Sequence, residues 1–250
     1  MTLAISDGGP LSPGPDHPLT LGHALIRAAR CFPRAGLHLD PDRFMTYPDL
    51  LAAACRVLTG LRAAGARPGD HAVLRLDDDE YFPVFWGCVL AGVIPVTAGP
   101  PAGYQQPNPG LDALLHAWER LGRPMVIGGR SDVSGLRTLV LSGRVVEATG
   151  LLSAEAGEPV PDAGPDDVAL VQLSSGSTGR PKLVQITHRG VSEYAEGARV
   201  LLDIAPGDVL LNWLPLDHVA GLMLYHLGGV FLGASSVQAA TDAVLADPQR

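Results

Sequence analysis

A chain of 250 residues, 46% hydrophobic and 18% charged, has enough apolar side chain to bury a sizeable core in one large domain or two modest ones. Its formal charge of −8, with no block of Lys or Arg to offset it, opposes attraction to phosphate backbones, so nucleic acid is not an expected partner. Three cysteines, Cys31, Cys55 and Cys88, an odd number with no CxxC pair, argue against a disulfide framework and for a reducing, cytoplasmic interior.

Residues 1–19 carry Gly, Pro and Asp but neither the basic nor the apolar region of a signal peptide, and read as a disordered lead-in. Residues 20–32 have helical spacing, and HLDPDRFMTY reads as a short hairpin. In the helix that follows, Thr46 caps the N-terminus with Asp49 reaching back and Pro48 in the first turn. Leu50, Leu51, Ala54, Val57, Leu58 and Leu61 share one face, and Pro68 and Gly69 end the segment. A strand is predicted at 71–76, a helix at 80–91 and a strand at 93–96. GPPAGYQQPNPG, residues 99–110, reads as a long loop or sub-lobe boundary, and a helix at 111–121 and several short strands follow it. A second linker, EAGEPVPDAGPDD, precedes an apolar strand at 168–173. This alternation predicts an α/β fold with a largely buried sheet.

Two uncharged stretches invite a membrane reading. The first, residues 81–111, is broken by Pro83, Pro95, Pro100 and Pro101. The second, residues 219–240, has the length and a Gly229-x-x-x-Gly233 spacing, but carries His226, Ser and Gln and lacks a basic flank. It is expected to form a buried helix followed by a strand, and no membrane partner is expected.

The stretch most informative about chemistry is LVQLSSGSTGRPKLVQITHRG, residues 170–190. A loop that binds a triphosphate needs free backbone N–H groups, hydroxyl donors and a cation. Ser174, Ser175, Gly176, Ser177, Thr178, Gly179 and Lys182 supply all three, and Pro181 restricts the turn before the lysine. The spacing is not that of a Walker A loop, because Arg180 and Pro181 separate Gly179 from Lys182 and the β-branched run after it reads as a strand. Hydroxyls and Lys182, more than a helix terminus, must then carry the binding. The bland alternative is an ordinary Ser/Gly turn between antiparallel strands.

SSGSTGRPKLVQITH resembles the phosphate-loop signature of the adenylate-forming superfamily, which includes acyl-CoA and fatty-acyl-AMP ligases, aryl-acid activating enzymes and assembly-line adenylation domains. MTYPDLLAAACRVLTGLRAAGARPGDHAVLRL, LAGVIPVTAGPP and NWLPLDHVAGLMLYHLGGVFLG resemble further motifs of that superfamily, in its order. The resemblance covers residues 20–250. It implies the N-terminal portion of a large domain, with layered sheets and flanking helices. The family's adenine and ribose motifs, its hinge and the small domain carrying the adenylation lysine do not occur before Arg250, so no catalytic residue is assigned here.

What the resemblance implies is ATP- and Mg²⁺-dependent activation of a carboxylic acid as acyl-AMP, followed by thioester formation on CoA or an acyl carrier protein. It assigns Ser174, Ser175, Ser177 and Thr178 to phosphate oxygens, Gly176 and Gly179 to close backbone approach, and Lys182 to the leaving pyrophosphate. Leu183 stands where the family usually has Gly. The same resemblance places His218, Val219 and Gly221 at the acyl pocket. Superfamily members that activate α-amino acids carry Asp after the position of His218, and Val219 there favours an acid without an α-amino group. Asp217 leaves a shifted amine partner open, while Trp213 and Asp217 also read as core packing and a helix cap. His218 and His226 lie two helical turns apart without a third ligand, and zinc is not expected. Metal ligands are unassigned. A truncated, non-catalytic relative acting as a partner or scaffold is the alternative.

Overall fold

The structure is a computed structural model that describes residues 11, 13–14, 16–40, 42–76, 78–139, 144–159, 163–174 and 181–247. Helix α1 (Leu21–Cys31) begins at Thr20, whose hydroxyl accepts from the His23 N–H. Strands β1 (Gly36–Asp40) and β2 (Arg43–Thr46) form the hairpin expected from HLDPDRFMTY. Helix α2 (Tyr47–Ala63) opens with the reciprocal cap legible in the sequence. The Thr46 hydroxyl accepts from the Asp49 N–H, the Asp49 carboxylate accepts from the Thr46 N–H, and Pro48 occupies the first turn, where an N–H has no intrahelical partner to lose.

There follow β3 (His71–Arg75), α3 (Asp78–Ala91), β4 (Ile94–Thr97), α4 (Pro109–Arg120), β5 (Met125–Gly128), α5 (Val133–Thr138), β6 (Val145–Glu147) and α6 (Ala148–Leu152). The chain continues through β7 (Val168–Ser174), β8 (Lys182–Thr187), α7 (His188–Leu202) and β9 (Val209–Asn212). A π-helical stretch, Gly221–Leu227, then runs into α8 (Gly228–Leu232), and β10 (Ser235–Gln238) and α9 (Thr241–Ala246) follow. The first uncharged stretch thus resolves into α3, β4 and a loop, and the second into a helix and β10. Among the described residues no helix is long and apolar enough to cross a membrane.

The strands make two sheets, ordered β2-β1-β10-β9 and β6-β5-β3-β4-β7-β8. The larger is parallel except for β8, which returns antiparallel beside β7. Alternation along its strands loads both faces. Ala72, Leu74, Ile127 and Leu170 point into one core, whereas Val73, Val96, Val126 and Val171 point into another with Leu114 and Trp118 of α4 and Leu136 of α5. The first core is shared. It joins the larger sheet, through α1, α2, α3, α7 and α8, to Leu37 and Ala234 at the smaller one. Helices α2 and α3 pack so closely that a Cβ on Gly87 would run into Val57.

Two histidines inside this layer are held neutral. The His188 Nδ1 accepts from the Leu21 N–H at 3.2 Å, and burial lowers its pKa to about 4. The His226 Nε2 accepts from the Trp86 indole N–H at 2.9 Å, and burial lowers its pKa to about 3. Of the lead-in, residues 1–10 lie outside the described residues. Its last residues are docked: the Ser192 hydroxyl donates to the Pro18 carbonyl at 2.9 Å and lies 2.9 Å from the His17 Nε2.

Candidate functional site

In a parallel sheet, ligands collect beyond the carboxyl ends of the strands, where the chain reverses its direction of growth across the sheet. Here the chain adds β4 on one side of β3 and then β5 on the other, so that point lies between β3 and β5. A cavity of about 330 Å³ opens beside it, beyond the carboxyl ends of β3 and β4. One wall is Leu74–Leu76 and Thr97–Pro100 from the larger sheet, and the other is Leu214–Asp217 and Gln238–Thr241 beyond β9 and β10 of the smaller one.

The hydroxyl- and glycine-rich loop springs from the neighbouring strand. Thr97 pairs with Gln172 across β4 and β7, so Ser174 lies level with Gly99, one strand spacing away. Strand β8 then brings Lys182 directly opposite Ser174 at the base of the loop, on the exposed side. The connection is strand to strand, as the β-branched run after Lys182 predicted. Ser175, Gly176, Ser177, Thr178 and Gly179 lie outside the described residues. Two residues before Ser174, the Gln172 side chain is buried and its Nε2 has no acceptor among the described residues. An orphaned buried donor close to the end of β7 is a feature that an incoming oxygen could satisfy.

The residues carried over for the acyl pocket are dispersed. His218 and Val219 sit on an exposed turn ahead of the π-helical stretch, and the His218 Nδ1 accepts from the Ala220 N–H at 3.2 Å. Neither borders the cavity. Gly221 is buried and cannot carry a side chain, because a Cβ there would meet the carbonyls of Leu214 and Pro215. Asp217 does border the cavity, pressed against Gly99 so closely that a Cβ on Gly99 would overlap its carboxylate. It caps no helix, and Trp213 is partly exposed instead of filling the core.

A buried polar network that the sequence did not announce stands behind the cavity. Arg75, at the end of β3, lies 3.3 Å from Asp132 and donates to the Leu76 carbonyl at 3.2 Å. The Ser131 and Tyr104 hydroxyls both donate to Asp132. Tyr104 comes from the 99–110 loop, and burial, reinforced by Asp132, raises its pKa. A buried carboxylate with three partners from three segments ties that loop to the sheet edge. The only sequence signal for it was an aromatic residue within a Pro- and Gly-rich loop. Among the described residues no cluster of His, Cys, Asp or Glu could hold a metal ion.

Comparison with known proteins places these features in company. The profile of the AMP-binding enzyme family matches residues 25–250. A feruloyl-CoA synthase of an Amycolatopsis species is 33% identical over 221 residues, covering 87% of this chain and 43% of that protein. The nonribosomal peptide synthetase atqA of Aspergillus terreus is 33% identical over 233 residues, covering 86% of this chain and 23% of that protein. Among solved structures, the adenylation domain of a keto acid-selecting NRPS module bound to keto acyl adenylate superposes with a TM-score of 0.84 at 31% identity. The match covers 92% of this chain and 43% of that one. The chain therefore spans less than half the length of these relatives.

Proposed function

Because the chain belongs to the AMP-binding enzyme family, matching it over residues 25–250, we propose that it forms the N-terminal part of an acid-activating ligase that makes acyl-AMP from ATP and a carboxylic acid. In that reaction a carboxylate oxygen bonds to the α-phosphorus, the bond to the bridging β-phosphate oxygen breaks, and pyrophosphate leaves with the electron pair. A thiol of CoA or of a carrier protein's pantetheine then attacks the acyl carbon, and AMP departs. This chemistry needs positioning and charge neutralisation more than covalent help from the protein.

The observation that carries the reading is the β7–β8 hairpin. It sets Ser174 opposite Lys182 at the carboxyl edge of the sheet, one strand from the inter-sheet cavity. ATP phosphates on this loop and a carboxylate presented from the cavity would meet along that edge. Lys182 serves the leaving pyrophosphate, Ser174 and Ser175 with Ser177 and Thr178 serve phosphate oxygens, and Gly176 and Gly179 allow the backbone to approach. Mg²⁺ would neutralise the phosphate oxygens when bound. It needs at most one or two carboxylates beside phosphate and water, which is compatible with a site that gathers no cluster among the described residues. His218, Val219 and Gly221 belong to the loop and helix that flank the cavity, on the acyl side. Val219 leaves no carboxylate after His218 for an α-ammonium, and the similarity to a keto acid-selecting adenylation domain is in keeping with an acid that lacks one.

The test is carboxylate-dependent ATP–pyrophosphate exchange by the full-length protein containing this segment, across a panel of aliphatic, aryl and 2-oxo acids. Exchange with at least one acid is expected. Lys182→Ala should lower it by about 100-fold, the loss typical of one preorganised donor to developing charge, without loss of folding. Wild-type exchange that survives the substitution unchanged would remove Lys182 from the mechanism.

A further inference from the structure

The cavity's polar groups can be taken one at a time. The Tyr81 hydroxyl and the Thr97 hydroxyl share a hydrogen bond of 3.0 Å. The Gln238 side chain accepts from Asn212 at 2.8 Å and donates to Ser236 at 3.3 Å. The Thr241 hydroxyl donates to the Trp213 carbonyl at 2.7 Å. Arg75 is engaged by Asp132 and the Leu76 carbonyl. The remaining lining is apolar or backbone: Leu74, Leu76, Ala98, Pro100, Leu214 and Leu216 are among it. Asp217 alone of this lining presents a carboxylate, and it has no hydrogen bond or ion pair among the described residues. The absence of a side chain at Gly99 is what lets that carboxylate stand at the wall.

A carboxylate that is half-buried beside apolar walls and unpaired among the described residues is an acceptor held ready for a donor. We propose that Asp217 is a specificity-determining residue, accepting a hydrogen bond from an O–H or N–H group on the body of the carboxylic acid that is activated. The proposal rests on the acid-activating reading above and narrows it from carboxylic acids in general to acids bearing a hydrogen-bond donor away from the reacting carboxylate. The volume, about 330 Å³, is at the small end of ligand pockets and suits an aryl or short acyl group. A site built to hydrogen-bond a substrate group discriminates against the analogue lacking it, because the site's polar group is then left without a partner.

The experiment uses the full-length protein and matched trios of acids that differ only in one substituent: hydrogen, hydroxyl or amino. Pyrophosphate exchange gives kcat/KM for each acid, and saturation-transfer NMR gives binding of the same acids without turnover. In the wild type the donor-bearing member should be preferred at least about tenfold over the unsubstituted one, the factor expected of one well-placed hydrogen bond. Asp217→Leu should bring that ratio close to one. Asp217→Asn separates the sources: a hydroxyl preference survives it in part, whereas an ammonium preference is lost with the charge. Gly99→Ala, which displaces the carboxylate without removing it, should lower the ratio as well. A ratio near one in the wild type, or one unmoved by Asp217→Leu, overturns the proposal. If no acid supports exchange, the acid-activating reading fails, and the binding ratios still decide the role of Asp217 in the same way.

Discussion

The two sheets are built from the same kinds of residue and finished differently. The six-stranded sheet is sealed on both faces at its inner strands: Val73, Val126 and Val171 are fully buried under α4 and α5, as Leu74 and Leu170 are under the central helices. The four-stranded sheet is sealed on one. Its inner face meets the shared core, while Val209 and Leu211 on β9 are 62% and 57% exposed. The difference teaches where the chain's stability is concentrated and where its surface is still apolar. Parallel strands buried on both faces lock their register from both sides, whereas a half-covered sheet relies on one set of contacts.

That contrast can be broken in steps. Leu114→Ala, which empties a fully buried position over the larger sheet, should cost about 2–4 kcal/mol in denaturant unfolding. A cost below about 1 kcal/mol would mean that α4 does not seal that face. The shared middle layer should respond to acid. The folded pKa of His188, about 4, lies below the value near 6.5 of an unfolded histidine, so the unfolded chain binds the extra proton between these limits. Stability should therefore be fully present above about pH 6.5 and fall as pH drops towards 4, by on the order of 2 kcal/mol after allowance for solvent screening. The buried His226 acts in the same direction. A His188→Asn variant should show a shallower decline in this window, and an unchanged pH profile would count against the burial of His188 as the cause. The smallest effect is expected at Leu211→Ser, within about 0.5 kcal/mol, because its side chain contributes little burial. A penalty near that of Leu114→Ala would erase the difference between the sheets.

What could be read from the sequence follows the range of the interactions involved. The α2 cap was legible because Thr46 and Asp49 satisfy one another across Pro48 within four residues, and the strand-to-strand character of the hydroxyl- and glycine-rich loop was legible from the β-branched run at 183–187. Helix α3 was placed even though Pro83 lies inside it, since its apolar residues outnumber the one disrupted backbone bond. Contacts between distant segments left no local trace. The Arg75–Asp132–Tyr104 network joins residues that only the crossover from β4 to β5 brings together. Asp217 was visible as a flanking residue, but its exposure to the cavity depends on Gly99, which lies 118 positions earlier in the chain. The docking of Pro18 on Ser192 is likewise invisible in a stretch whose composition reads as loose.

The position of β8 has a mechanical corollary. Among the described residues it is an edge strand, bonded to β7 alone, and it carries the return leg of the hydroxyl- and glycine-rich loop. Lifting Lys182 away from Ser174 therefore unzips one ladder from its tip and leaves the five parallel strands undisturbed. In amide exchange, the β8 backbone should lose its protons well before β7, while the cavity wall beside it stays protected.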